Sequence, residues 1–220
     1  MPSLPTGFDP LVPLLGLAGL VWGVAADRIS ARWPRHEDGT VRNVDWRTLV
    51  VAVFAAVALA AVPGRFDDLG QRLLFGGFFA ACVLLIATDL DQRLMPDVVT
   101  LPLIVLGALA LVWSGDSLVS RSPAWLAVLG AIVVPGLLFV ASLPFGEGAF
   151  GGGDVKFLVS VGLLTGFLRI VIAVFAGAMI AGVVIVTLLL ARRVTMKSYI
   201  PFGPFLIIGA VWATLLPASS

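Results

Sequence analysis

Eight long apolar runs, separated by short polar stretches, organise the chain. They span roughly Leu11–Ala26, Leu49–Pro63, Leu73–Thr88, Val98–Trp113, Trp125–Pro144, Val155–Leu168, Ile170–Ala191 and Phe202–Leu216. Within each run the apolar residues are continuous and do not alternate with polar ones. Continuous runs approaching 20 residues predict membrane-spanning helices, whereas a membrane β-barrel would show alternating segments of about ten residues. The pattern therefore predicts an all-α, polytopic membrane protein with about eight transmembrane helices, organised as a single membrane domain over residues 1–220. Several runs are short for a full crossing. The sixth is the shortest, and Gly162 and Gly166 interrupt it, as expected of a segment that lines a cavity and not lipid.

Composition agrees with this pattern. Of 220 residues, 60% are hydrophobic and 12% charged, and mean hydropathy is +1.08; a soluble domain carries about 25% charge. The formal net charge of +1 gives no basis for nucleic-acid binding. Cys82, the single cysteine, lies in an apolar run, which rules out an internal disulfide or a cysteine-cluster metal site and makes it a packing residue. Met1–Pro10 has no Lys or Arg, so it lacks the basic region of a secretory signal peptide, and the first run is expected to stay as a span.

Lysine and arginine set the expected orientation. With the N-terminus outside, the cytoplasmic segments hold Arg28, Arg32, Arg35, Arg42, Arg47, Arg93, Lys156, Arg192, Arg193 and Lys197, against Arg65, Arg72, Arg121 and Arg169 in the outer loops. Both termini are thus expected outside. The longest polar segment, loop 27–48, mixes both signs and contains His36, the only histidine. Without Cys or His partners His36 is a poor metal ligand, so no metal site is expected. The loop reads as a solvated segment whose arginines hold topology and touch anionic lipid.

Two acidic motifs carry the candidate chemistry. The glycine-rich stretch from Phe145 ends Gly151-Gly-Gly-Asp154-Val-Lys156, between two apolar runs. A carboxylate beside a span is costly and marks function by default; taken alone, the stretch also fits a flexible loop with a helix-capping aspartate. Upstream, Asp89-Leu-Asp91-Gln-Arg93-Leu-Met-Pro96-Asp97 follows directly on the third run. Pro96 is expected to break the helix and Asp97 to cap the next one, with Asp91 solvated in the loop. Asp89, at the membrane boundary, is the best placed to meet Asp154. Two carboxylates sharing one proton can activate water and protonate a leaving amine, so peptide hydrolysis needs neither metal nor covalent nucleophile. No H-E-x-x-H or G-x-S-x-G motif is present.

These residues resemble a known family. The Asp89 motif, with its Asp seven residues before Pro-Asp, the G-x-G-D-x-K at 151–156, and Ile200-Pro-Phe-Gly-Pro-Phe205 are similar to three ordered motifs of the prepilin peptidases. The resemblance implies a membrane aspartic endopeptidase of the bacterial inner membrane. Such an enzyme removes the basic leader of type IV prepilin or pseudopilin precursors at the cytoplasmic face. It implies Asp89 and Asp154 as the catalytic pair, Gly151 and Gly153 as shapers of the loop, and Lys156 as its support. Asp91, Asp97 and Glu147 are possible contacts for the basic leader, Glu147 fitting a solvated loop acid equally well. Many members carry a Cys-x-x-C zinc insert and methylate the new N-terminus with S-adenosylmethionine. This chain lacks those cysteines, so cleavage is expected without a cofactor, S-adenosylmethionine being needed only if methyl transfer is retained. Intramembrane acids and broken spans also describe a small proton-coupled transporter, and the motifs would equally suit a non-catalytic scaffold of a pilus or secretion apparatus.

Overall fold

The computed structural model describes residues 9–34, 41–145, 150–193 and 201–217. His36, and with it part of loop 27–48, lies outside them. Helices make up most of the described chain: α1 Leu11–Ser30, α2 Trp46–Ala60, the single turn α3 Val62–Arg65, α4 Leu69–Gln92, α5 Asp97–Ser114, α6 Ala124–Ser142, α7 Gly152–Thr165, α8 Phe167–Leu190 and α9 Gly203–Leu215. No β-sheet forms among the described residues; one isolated bridge joins Asp116 to Pro123. The molecule is a polytopic all-α membrane protein.

Each of the eight predicted apolar runs forms a helix, with α3 an added single turn, but the helices differ in reach. Six helical stretches are long and apolar enough to cross a bilayer. α7 has 14 residues and α9 has 13, so at 1.5 Å per residue they reach about 21 Å and about 20 Å, short of a hydrocarbon core of about 30 Å. The sixth run was expected to extend to Leu168. Instead α7 stops at Thr165, because Gly166 takes φ +90° and the next helix starts at Phe167. A side chain at Gly166 would also run into the hydroxyls of Ser117, Ser120 and Ser122.

The chain forms two compact units, Met1–Ala87 and Thr88–Ser220, and the boundary falls inside α4. In the first unit α1 packs along α2 through a seam of small residues. Gly19 and Gly23 are spaced like the small-x-x-x-small contacts of membrane helices. A Cβ on Gly23 would meet the Ala52 backbone and lie 2.8 Å from Val51 O. The indole of Trp22 donates to Ala80 O at 2.9 Å, and Phe66 stacks on Phe75 with ring centroids 4.3 Å apart. Cys82 is fully buried, as a packing residue should be.

Asp27, in the last turn of α1, is fully buried. Its carboxylate accepts from Arg28 at 2.5 Å, from Thr48 Oγ1 at 2.6 Å and from Arg42. Arg42 also pairs with Asp45 at 2.6 Å, and Asp45 caps α2 by accepting from Arg47 N at 2.9 Å. The end of α1 and the start of α2 are thus joined by one charged network. In the second unit α7 packs between α5 and α6 and also meets α8, while α8 pairs with α9. Phe157, Leu158 and Val161 of α7 are fully buried.

The α1–α2 seam has a direct test. Gly23→Val is expected to lower the melting temperature of the detergent-solubilised protein by an amount equivalent to about 1–3 kcal/mol or more of overpacking. Gly182→Val should leave it unchanged, because a Cβ at Gly182 of α8 meets nothing within 4 Å.

Candidate active site

The two acidic motifs meet in the second unit. Asp89 sits in the last turn of α4 and is 6% exposed. Among the described residues its Oδ2 has no hydrogen-bond partner. A buried carboxylate oxygen in that condition is rare in proteins and calls for an explanation. Asp154 lies close enough for its charge to act on Asp89, and so does Arg93, one turn further along.

Local sequence explains both placements. α4 ends just after Asp89 because Arg93 adopts φ 56° while its N–H still donates to Asp89 O at 2.9 Å. Pro96 then takes an extended conformation, φ −64° and ψ 132°, and serves as the N-cap of α5. Asp97 was expected to cap α5; it is instead the first helical residue, and its side chain accepts from Lys156 Nζ at 2.6 Å. The Asp91 position needs a similar correction. It was expected in a loop, but α4 runs on to Gln92, so Asp91 is helical and lies about 160° around the axis from Asp89.

Asp154 occupies the third position of α7, and its Oδ2 accepts from the N–H of the N-cap Gly151 at 3.3 Å. The amino end of a helix favours a carboxylate, through free N–H groups and the helix dipole. Gly153 permits the approach of the first motif: a Cβ there would lie 2.7 Å from Met95 Cβ and 3.3 Å from Met95 O. Met95, 5% exposed, is held in turn by the third motif. A Cβ on Gly203, the first residue of α9, would lie 2.5 Å from Met95 Cε and 2.6 Å from Asp89 Oδ2. The segments around Asp89, Asp154 and Gly203 therefore converge on one spot.

The structure thus brings together Asp89, Asp154, Gly151 and Gly153, and ties Lys156 to Asp97. It does not bring Asp91 to the pair. Glu147 and Ile200 lie outside the described residues. Sequence reasoning missed the contacts of Met95 and Gly203; the only signal for Gly203 was its place in the Ile200–Phe205 segment. Among the described residues no three His, Cys, Asp or Glu side chains gather into a metal-binding cluster.

Comparison with known proteins identifies the family. The pattern of the Type IV leader peptidase family matches residues 76–186, half of the chain and both acidic motifs. The chain belongs to that family. A prepilin leader peptidase/N-methyltransferase of Aeromonas hydrophila is 32% identical over 212 residues, covering 94% of this chain and 65% of the relative. The protein of the same name from Burkholderia pseudomallei strain 1026b is 30% identical over 187 residues, 85% of this chain and 55% of the relative. That from Xanthomonas campestris is 34% identical over 140 residues, 61% of this chain and 47% of the relative. The chain spans at most about two thirds of the length of these curated relatives. No solved structure matches it.

The Lys156–Asp97 pair joins the two motifs of the family, yet both side chains are exposed, 38% and 58%. A double-mutant cycle with Lys156→Met and Asp97→Asn is expected to give a coupling of about 0.2–1 kcal/mol in thermal or chemical unfolding, shrinking as salt is raised. A larger, salt-independent coupling would mean that the pair is more than a surface tie.

Proposed function

We propose that this chain is a membrane aspartic endopeptidase that removes the basic leader of type IV prepilin-like precursors. The observation that carries the reading is the meeting of Asp89 and Asp154, with Asp89 buried and one of its oxygens free of hydrogen bonds among the described residues. Family membership and the names of the relatives support the substrate class.

In the mechanism, one carboxylate takes a proton from a water molecule while the water oxygen bonds to the scissile carbonyl carbon. The other carboxyl, holding the shared proton, gives it to the carbonyl oxygen. A tetrahedral diol results. When it collapses, the C–N bond breaks, a hydroxyl proton returns to the carboxylate that had given one up, and the first carboxyl's proton passes to the leaving amine. The pair acts as a unit, so neither residue is assigned a single role. Burial strengthens the interaction of both groups with the developing charge.

The positive-inside distribution of Lys and Arg supports an inner-membrane protein with both termini outside and the site at the cytoplasmic face. There the precursor's apolar helix would pack among the spans, leaving its basic leader in the cytoplasm. Asp91, Asp97 and Glu147 are candidate leader contacts. Asp97 would have to exchange its pairing with Lys156 for the leader. Exposed ion pairs contribute about 1 kcal/mol or less, so helix packing should dominate precursor binding. The relatives are also named N-methyltransferases. An open groove between α8 and α9 is lined by Val171, Phe175, Met179, Ile208, Trp212 and neighbouring aliphatic side chains. That lining does not fit S-adenosylmethionine, a charged nucleoside. The cleavage proposed here uses only the two carboxylates and water.

The test is co-expression with a prepilin, scored by the mobility of the pilin band and by the amount of each variant in the membrane. Asp89→Asn and Asp154→Asn are each expected to lower cleavage by about 10²–10⁴-fold, while Asp91→Asn cleaves like the wild type. Cleavage that survives both of the first two substitutions would sink the aspartic mechanism. Loss with Asp91→Asn in place of Asp89→Asn would move the pair to Asp91.

A further inference from the structure

We propose that Gly203 is a positioning residue for Asp89: the amino end of α9 packs directly on the Asp89 carboxylate and fixes its orientation for cleavage. The inference rests on the peptidase reading above and goes beyond it by assigning the third motif a task.

The argument starts from the bare oxygen. Asp89 Oδ2 is buried with no hydrogen-bond partner among the described residues, so hydrogen bonds at that atom do not orient the carboxylate. What lies against it is Gly203: a Cβ there would be 2.6 Å from Oδ2 and 2.9 Å from Cγ. Only a residue without a side chain allows this approach. The contact also has a direction. Gly203 opens α9, and Pro204, the next residue, has no N–H. Phe205 N donates to Phe202 O at 3.1 Å. The first N–H groups of a helix have no intrahelical acceptor, so the close approach of Gly203 sets the positive end of α9 beside the carboxylate. Each carboxylate of the pair therefore stands at the amino end of a short helix, Asp154 at its own α7 and Asp89 at α9.

For this contact to position anything, α9 must not slide. Its far end is held by Arg169 of α8, 4% exposed. The guanidinium donates to Ala213 O at 2.7 Å, Leu216 O at 2.9 Å and Pro217 O at 2.5 Å. A cation on the last carbonyls of a helix is a stabilising cap. With α9 fixed there, a methyl group at position 203 cannot be relieved by backing the helix away. Met95 Cε, 2.5 Å from the same Cβ position, ends a flexible side chain and can swing aside. The Asp89 carboxylate is what must move.

The experiment uses the full chain, purified in detergent, with a prepilin substrate. Wild type, Gly203→Ala, Met95→Ala, the Gly203→Ala/Met95→Ala double variant and Gly182→Ala are compared in kcat, KM and melting temperature. Gly203→Ala is expected to lower kcat by about 100-fold, the loss that a displacement of about 1 Å in a reacting group brings, with KM and melting temperature near those of Gly182→Ala. Adding Met95→Ala should not restore kcat. Should Gly203→Ala fail to accumulate, adding Asp89→Ala removes the carboxylate that the methyl meets and is expected to restore folding. The inference is overturned if Gly203→Ala keeps wild-type kcat or changes KM alone. It is also overturned if Met95→Ala rescues kcat, or if Asp89→Ala fails to rescue a misfolded Gly203→Ala. In those cases the wild type still cleaves and the peptidase reading stands; a wild type that cleaves no precursor overturns both.

Discussion

A carboxylate oxygen buried without a hydrogen bond is the constraint to which the second unit conforms. Leaving such a group unsatisfied costs on the order of 1–3 kcal/mol or more, and hydrophobic packing alone would favour an apolar residue at position 89. The surroundings keep that group in place. Arg93 turns the chain out of α4 in a left-handed conformation, Pro96 holds an extended link, and Met95 plugs the space between. Gly153 and Gly203 then let two further segments close on the plug, each at a spot where a methyl group would not fit.

The short helices follow from the same constraint. α7 and α9 are too short to cross a hydrocarbon core, and each begins at the site. A helix that ran the full membrane thickness would bring side chains and paired backbone to this spot. One that starts here brings unpaired N–H groups and the positive end of its dipole. Helix length therefore shapes the surroundings of the two acidic residues.

How much of this the sequence disclosed depends on whether a feature is local. Asp89 and Asp154 stood out because a charge next to an apolar run is legible without any structure, and the break at Pro96 follows from the ring. The role of Asp97 was misread because propensity favours a capping aspartate, while the side chain found Lys156, 59 positions away. The end of α7 was placed three residues late because Gly166, though visible as an interruption, does not declare its positive φ in the sequence. The contact of Gly203 with Asp89 could not be seen at all: it depends on how closely two distant segments approach. The Gly19/Gly23 seam of α1 was not read from the sequence, because its meaning depends on α2 lying against it.

The network around Asp27 bears on how the protein enters the bilayer. The carboxylate is fully buried and held by Arg28, Arg42 and Thr48; Arg42 precedes α2 and Thr48 lies in its first turn. A buried carboxylate stripped of such partners is destabilised by several kcal/mol. Within α1 itself only Arg28 partners the carboxylate, so burying that end costs more until residues 42–48 are in place. The Asp27 contacts thus favour placing the first two helices together as a hairpin, the carboxylate acting as a latch between its arms.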